Sequence, residues 1–164
     1  MINELDNFVF EKTEFLRKSK IRNLILIFSI NPKITYIFFL FINFVFLNNT
    51  ILLNIVVFFI ADIFIFILKR IIKRTRPVEP SKSHLKRLTG LGPDQYSFPS
   101  AHTFTAFQIL PLCFNLNFYL GIVVTCYAFL VALSRITLKH HYASDVLFSI
   151  CLGIIVGTLN ITII

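Results

Sequence analysis

Tryptophan is absent from the 164-residue chain, and glycine, proline and cysteine are scarce, at 5, 6 and 3 residues. Acids are few as well: 8 Asp and Glu stand against 16 Lys and Arg, a formal charge of +8. Each shortage removes a class of protein. The cysteines, Cys113, Cys126 and Cys151, lie inside apolar runs without metal-ligand spacing, so all three read as buried thiols rather than disulfides or metal ligands. The basic surplus borders apolar spans and brings no nucleic-acid motif with it. That excludes a nucleic-acid binder and favours a membrane surface or an anionic substrate. The N-terminal stretch, MINELDNFVFEKTEFLRKSK, mixes acids with bases and lacks a small-residue cleavage site, so no secretory signal is expected. No internal repeat or low-complexity tract is present beyond a bias to Phe, Ile and Leu.

What the chain has in excess is apolar side chains. Hydrophobic residues make up 56% of it, with 20 Phe, more than the roughly 45–50% of a soluble domain. Five apolar stretches stand out, over 34–47, 51–69, 101–118, 119–137 and 143–163. About 20 helical residues cross the roughly 30 Å of bilayer hydrocarbon, and the second, fourth and fifth stretches reach that length. The first is short, so its helix starts before Lys33 or spans a thinned region. The third carries Pro111 and several polar groups, which suits a helix lining a site. The expected fold is an all-α, multi-pass transmembrane bundle of about five spans. Residues 1–30, too rich in charge to span, form an N-terminal amphipathic segment lying in the interface. Residues 31–164 form the transmembrane domain, with Asn48-Asn49-Thr50 as a tight turn between the first two spans. The polar segment 70–100 holds Pro77, Pro80, Gly90, Gly92 and Pro93, which forbid a continuous helix. A loop so long in so small a protein is usually functional.

Three short segments carry candidate chemistry, all at span ends on one side of the membrane. Lys69 and Arg76 are seven apart, close to two helical turns, so a continuing helix puts both cations on one face. Phe98-Pro99-Ser100-Ala101-His102-Thr103 opens the third span, where amides near Ser100 and Ala101 make an anion site. Ser134-Arg135, His141 and Asp145 close the fourth span and open the fifth. Each segment has a blander meaning: headgroup-anchoring cations, a Ser N-cap, a surface His–Asp pair of small value. Their joint occurrence has none. Three fixed cations can hold phosphoryl oxygens. Two histidines can share nucleophilic and proton-transfer work, and Asp145, one turn past His141, can accept a ring N–H and fix its tautomer.

These residues resemble the type 2 phosphatidic acid phosphatase superfamily, with its pattern K-x6-RP, PSGH and SR-x5-H-x3-D. The chain has Lys69-x6-Arg76-Pro77, Pro99-Ser100-Ala101-His102 and Ser134-Arg135-x5-His141-x3-Asp145. Ala101 replaces the usual Gly and keeps the backbone N–H; a helical φ there leaves it unstrained. The resemblance implies an integral membrane phosphatase acting on a lipid phosphate or diphosphate. His141 would be the nucleophile of a phosphohistidine intermediate, His102 the acid and then base, and Asp145 the group orienting His141. Lys69, Arg76, Ser100, Ala101 and Arg135 would bind phosphate. No metal and no cofactor are implied. Substrate candidates are undecaprenyl diphosphate, phosphatidylglycerophosphate, phosphatidate and lipid A phosphate. A phosphotransferase using the same histidine, or a non-enzymatic lipid carrier, is the alternative.

Weaker expectations attach to other residues. Asp62 sits within the second span, where a carboxylate is expensive, and either pairs with a basic group or plays a structural part. His84 and His140 read as loop bystanders, and Asp94-Gln95-Tyr96 as headgroup contacts. With five spans all 16 Lys and Arg fall on one side, which charge bias makes cytoplasmic. The resemblance implies the opposite: a bacterial cytoplasmic-membrane enzyme whose site faces outward.

Overall fold

The computed structural model describes residues 2–20, 32–46, 51–77 and 96–163. Its helices are α1 (Ile2–Lys18), α2 (Pro32–Phe46), α3 (Ile51–Ile72), α4 (Ala101–Gln108), α5 (Leu110–Leu116), α6 (Phe118–Thr137) and α7 (Ala143–Ile163). Pro32 at the head of α2 uses a position whose N–H has no helical partner. The first predicted span therefore does begin before Lys33, whereas the Asn48–Thr50 turn lies outside the described residues.

Burial follows the helical repeat. On α3 the buried side chains are Asn54, Phe58, Ala61, Ile65 and Lys69, one inward stripe. Phe39 and Ile42 of α2 face it, with Phe39 stacked on Phe58 at 3.9 Å. The exterior is apolar instead: Phe41 and Phe44 of α2, Ile60 and Ile63 of α3, Val123 and Phe129 of α6, and Ile155 and Leu159 of α7 are exposed. Large exposed apolar faces over a core holding Asn54, Thr105, Gln108, Ser149 and Asn160 belong to a protein whose solvent is hydrocarbon. Among the described residues α6 and α7 qualify as membrane spans by length and apolarity alone, over Phe118–Thr137 and Ala143–Thr162. The fold is an all-α transmembrane bundle. It does not fix the number of spans at five, since α2 has only 15 residues and the third stretch breaks at Ile109 between α4 and α5, where Pro111 opens the second piece.

α4 is the central helix, buried continuously from Thr103 to Gln108. α7 approaches it so closely that a Cβ added at Gly157 would lie 2.2 Å from the Gln108 carbonyl oxygen, and one at Gly153 2.7 Å from that of Phe104. Gly153-x-x-x-Gly157 is thus a small-residue seam of the kind that lets membrane helices touch backbone to backbone. Polar pairs tie the remaining helices together. Asn160 donates to Asn54 at 2.9 Å between α7 and α3, and Thr35 pairs with Tyr127 at 2.7 Å between α2 and α6. Asp62 accepts hydroxyl hydrogens from Tyr36 at 2.6 Å and Thr105 at 3.2 Å. These hydroxyls of α2 and α4 tie it into the bundle, so the structural part expected of it is the one the fold supports. Of the cysteines only Cys113 is buried; Cys126 and Cys151 sit on the lipid-facing exterior, correcting the expectation of three buried thiols.

Candidate active site

α3 runs past Lys69 to Ile72, and Lys73 then adopts φ 51°, a left-handed conformation that ends the helix. Lys69 and Arg76 therefore do not share a helical face as their spacing suggested. Arg76 is carried instead on an extended segment pinned by a β-bridge between Thr75 and Tyr96 and by the Ser97 amide donating to the Arg74 carbonyl at 2.8 Å. Residues 78–95, including His84, Asp94 and Gln95, lie outside the described residues. Tyr96 does reach the site, through its backbone: its carbonyl accepts from Lys69 Nζ at 3.1 Å.

A second turn delivers the histidines. α6 ends at Thr137, Lys139 takes φ 54°, and the amides of His140 and His141 both donate back to the Arg135 carbonyl, at 3.0 and 3.2 Å. The chain folds over its own helix end, so His141 and Arg135 are both buried, 2% exposed each. His140 is buried too, and its carbonyl accepts from Arg76 Nη1 at 2.7 Å. It is part of the site wall and not the bystander expected.

The ring of His141 is held at both nitrogens. Nδ1 lies 2.5 Å from the Ser97 carbonyl oxygen, and Nε2 lies 3.3 Å from Arg76 Nη1. A carbonyl can only accept, so Nδ1 carries the hydrogen and Nε2 presents its lone pair. Burial first, and then the charges of Arg76, Lys69 and Arg135, hold the imidazole well below its ordinary pKa, against the opposing pull of the Ser97 carbonyl. His141 is a neutral imidazole at physiological pH, with an unprotonated nitrogen turned toward cations. His102, in the first turn of α4, lies within electrostatic reach of Arg135, His141, Lys69 and Arg76. Five of the predicted residues thus converge on one place.

Of the other three, Ser100 and Asp145 are differently placed from expectation and Ala101 is placed as expected. Ser100 is the N-cap of α4, but its side chain makes no capping bond and pairs with Thr103 Oγ1 at 2.9 Å. Its amide is committed to Ser149 Oγ at 2.8 Å, which leaves the Ala101, His102 and Thr103 amides as the first-turn donors without an intrahelical acceptor. Ala101 begins α4, and no positive φ occurs there, as its alanine requires. Asp145 stands 3.8 Å from His141 Nδ1, outside hydrogen-bond range, because the Ser97 carbonyl has taken that N–H. Its own oxygens accept from Arg74 Nη1 at 2.5 Å and from the Tyr142 amide at 3.0 Å.

Sequence reasoning passed over Ser97, Arg74 and Ser149 and set His140 aside as a bystander. Arg74 was accessible as one more cation inside the first segment. Ser97 acts through a carbonyl that every residue type possesses, so no residue identity signals it. Among the described residues no group of three or more His, Cys, Asp or Glu is placed to hold a metal ion.

An all-α membrane bundle with two histidines and three cations gathered at its helix ends defines the class, and residues 44–164 match the PAP2 superfamily. The chain belongs to that superfamily. It is 35% identical over 102 residues to the decaprenylphosphoryl-5-phosphoribose phosphatase of Mycobacterium tuberculosis, in strains CDC 1551 / Oshkosh and ATCC 25618 / H37Rv, covering 62% of this chain and 54% of those proteins. It thus spans about half the length of the curated relatives it matches. Among solved structures it superposes on the transmembrane PAP2-type phosphatidylglycerolphosphate phosphatase of Bacillus subtilis with a TM-score of 0.75 at 20% identity, covering 99% of this chain and 85% of that one. On Aquifex aeolicus LpxE the TM-score is 0.72 at 23% identity, with 93% and 92% covered. These two likenesses concern the fold.

Proposed function

We propose that the chain is a membrane phosphatase that hydrolyses a lipid phosphate or lipid diphosphate through a phosphohistidine intermediate. One observation carries the reading: the Ser97 carbonyl fixes the hydrogen on His141 Nδ1, leaving a neutral Nε2 beside Arg76. A nucleophile with its lone pair aimed where cations would hold a phosphoryl group is what such chemistry needs.

In the proposed reaction Lys69, Arg76, Arg135 and the Ala101 and His102 amides bind the phosphoryl oxygens. Nε2 of His141 attacks phosphorus, the P–O bond to the lipid breaks, and His102 gives a proton to the leaving oxygen. Water then attacks the phosphohistidine, His102 takes one of its protons, the P–N bond breaks and phosphate departs. Bound phosphate offsets the cations that suppress His141 protonation, so the ring can carry the positive charge that develops on it. Asp145 supports that charge at 3.8 Å instead of orienting the ring by a direct bond. Ser100 holds the head of α4 in place by way of Ser149 and Thr103.

A lipid substrate is supported by a site at the helix ends of a bundle whose exterior is apolar, and by relatives whose names specify lipid-linked phosphates. The proposal places the protein in the bacterial cytoplasmic membrane, with the site facing outward as the resemblance to the superfamily implies and residues 2–18 lying along the interface. The test uses purified protein in detergent and a panel of phosphatidate, phosphatidylglycerophosphate, undecaprenyl diphosphate and lipid A phosphate. Phosphate release from at least one, persisting in excess chelator and abolished by His141→Ala, is expected. Release that survives His141→Ala in full would remove the covalent mechanism.

A further inference from the structure

The most heavily bonded charges outside the family's motifs join α1 to the head of α7. Asp6 is 2% exposed, while Glu4 and Glu11 on the same helix are exposed. Its Oδ1 accepts the Ser144 amide at 3.0 Å, capping α7 from another helix. Its Oδ2 accepts from Ser144 Oγ at 3.0 Å and from Arg74 Nη2 at 2.8 Å. Nη1 of that guanidinium donates to Ser144 Oγ at 2.7 Å and to Asp145. The hydroxyl thus accepts from Arg74 and donates to Asp6. Arg74 also lies 4.0 Å over the Tyr142 ring, which packs on Phe10 of α1 at 5.8 Å.

Arg74 meets His141 from two directions. Its carbonyl accepts the Ser97 amide, and the Ser97 carbonyl accepts His141 Nδ1. Its guanidinium holds Asp145, 3.8 Å from that same Nδ1. A guanidinium that bridges two buried carboxylates, one through each Nη, joins them by charge-assisted hydrogen bonds, and about 1 Å of slack in a reacting group is costly to rate.

We propose that Asp6 and Arg74 are positioning residues of the active site, with α1 docked through Asp6 onto the head of α7 and Arg74 setting the place and field of Asp145 beside His141. The proposal rests on the phosphatase reading above. It gives the N-terminal helix a part in the site beyond lying on the membrane.

The charges around His141 make the proposal distinctive. Arg76, Lys69 and Arg135 act on it directly, His102 and His140 flank it, and Asp145, Arg74 and Asp6 form a chain of alternating sign. Arg74→Gln leaves the charge of Asp145 uncompensated, which favours protonation of His141. Asp6→Asn frees Arg74 from its second carboxylate, which disfavours it. The acidic limb of the kcat/KM profile reports the free enzyme's essential base, so the two variants should move it in opposite directions. Arg74→Gln is expected to shift it up and Asp6→Asn down, each by about half a pH unit, and Arg74→Gln should lower kcat about tenfold or more.

The experiment measures pH profiles for wild type, Asp6→Asn and Arg74→Gln on the panel lipid turned over fastest, with His141→Ala as the blank and thermal melts to confirm folding. Opposite shifts establish the proposal. Shifts of one sign, or loss of rate with an unmoved limb, overturn it while leaving the phosphatase reading intact. Wild type no faster than His141→Ala on every lipid overturns both. Should Asp6→Asn not fold, Arg74→Gln carries the test alone: an upward shift of the limb supports the proposal, and an unmoved or lowered limb overturns it.

Discussion

A backbone carbonyl decides which nitrogen of His141 is available. Because Ser97 accepts at Nδ1, the carboxylate expected to fix the tautomer is left to other work, and Asp145 spends its oxygens on Arg74 and on the Tyr142 amide. His102 has the complementary task in the proposed reaction, and a leaving-group test isolates it. His102→Ala should slow phosphate release from a lipid monoester by about 10²–10⁴-fold, and much less from a nitrophenyl ester, whose leaving oxygen needs no proton. Equal losses on the two esters would remove His102 as the acid. His140 allows a stability test. Burial first, and then the charges of Arg135 and Arg76, lower its pKa from 6.5 to about 3. Between those values the unfolded chain binds more protons than the folded one, so stability is present above about pH 6.5 and is lost as pH falls toward 3. Melts of phosphate-free protein should show Tm falling with acidity over that window. His140→Gln should flatten the fall in part, since His141 shifts in the same direction; an unaltered slope would show that His140 is not buried neutral.

At the scale of helices, the fold depends on how closely α7 can lie against α4. Ser149, Gly153 and Gly157 share one face, and the last two admit carbonyl oxygens of α4 where any side chain would collide. Gly157→Val must push back main chain, which has no rotamer to yield. We expect a loss of about 1–3 kcal/mol or more, read as a lower Tm, with phosphate release reduced because α4 carries His102. Gly121→Ala is the contrast: its Cβ meets the Phe114 ring, an exposed side chain that can swing aside, and its Tm should stay near wild type. Equal losses in the two variants would count against the close seam. The apolar stretches and the three motifs were legible in the sequence, because residue type and short-range spacing carry both. Arg76 was misplaced because a left-handed Lys73 interrupts the helix, and a lone lysine gives no warning of that. The Asp6–Ser144 and Ser97–His141 contacts join residues 138 and 44 apart, and tertiary packing alone brings such pairs together.

For the molecule as a whole, orientation is where two physical arguments oppose each other. The C-terminal ends of α3 and α6 and the N-terminal ends of α4 and α7 meet at the site, and the cations gather there with them. Charge bias would place that end in the cytoplasm. The bias, however, counts loop charges that must not cross the membrane. Here Lys69 and Arg135 are buried in the site wall and Arg76 bonds His140 and faces His141, so three of the cations belong to the proposed chemistry whichever way the chain inserts. Arg74 is likewise committed within the fold, to Asp6 and Asp145. The resemblance to the superfamily implies the opposite of the charge bias, and the outward site is the orientation proposed. The test replaces Cys113, Cys126 and Cys151 and introduces one thiol at a time. Ser83→Cys, beyond the site end of α3, should react in intact cells with an impermeant maleimide added outside, and Asn49→Cys, before its far end, should react only after the membrane is opened. The reverse pattern would put the site in the cytoplasm and direct the substrate search to lipid phosphates made on the inner leaflet.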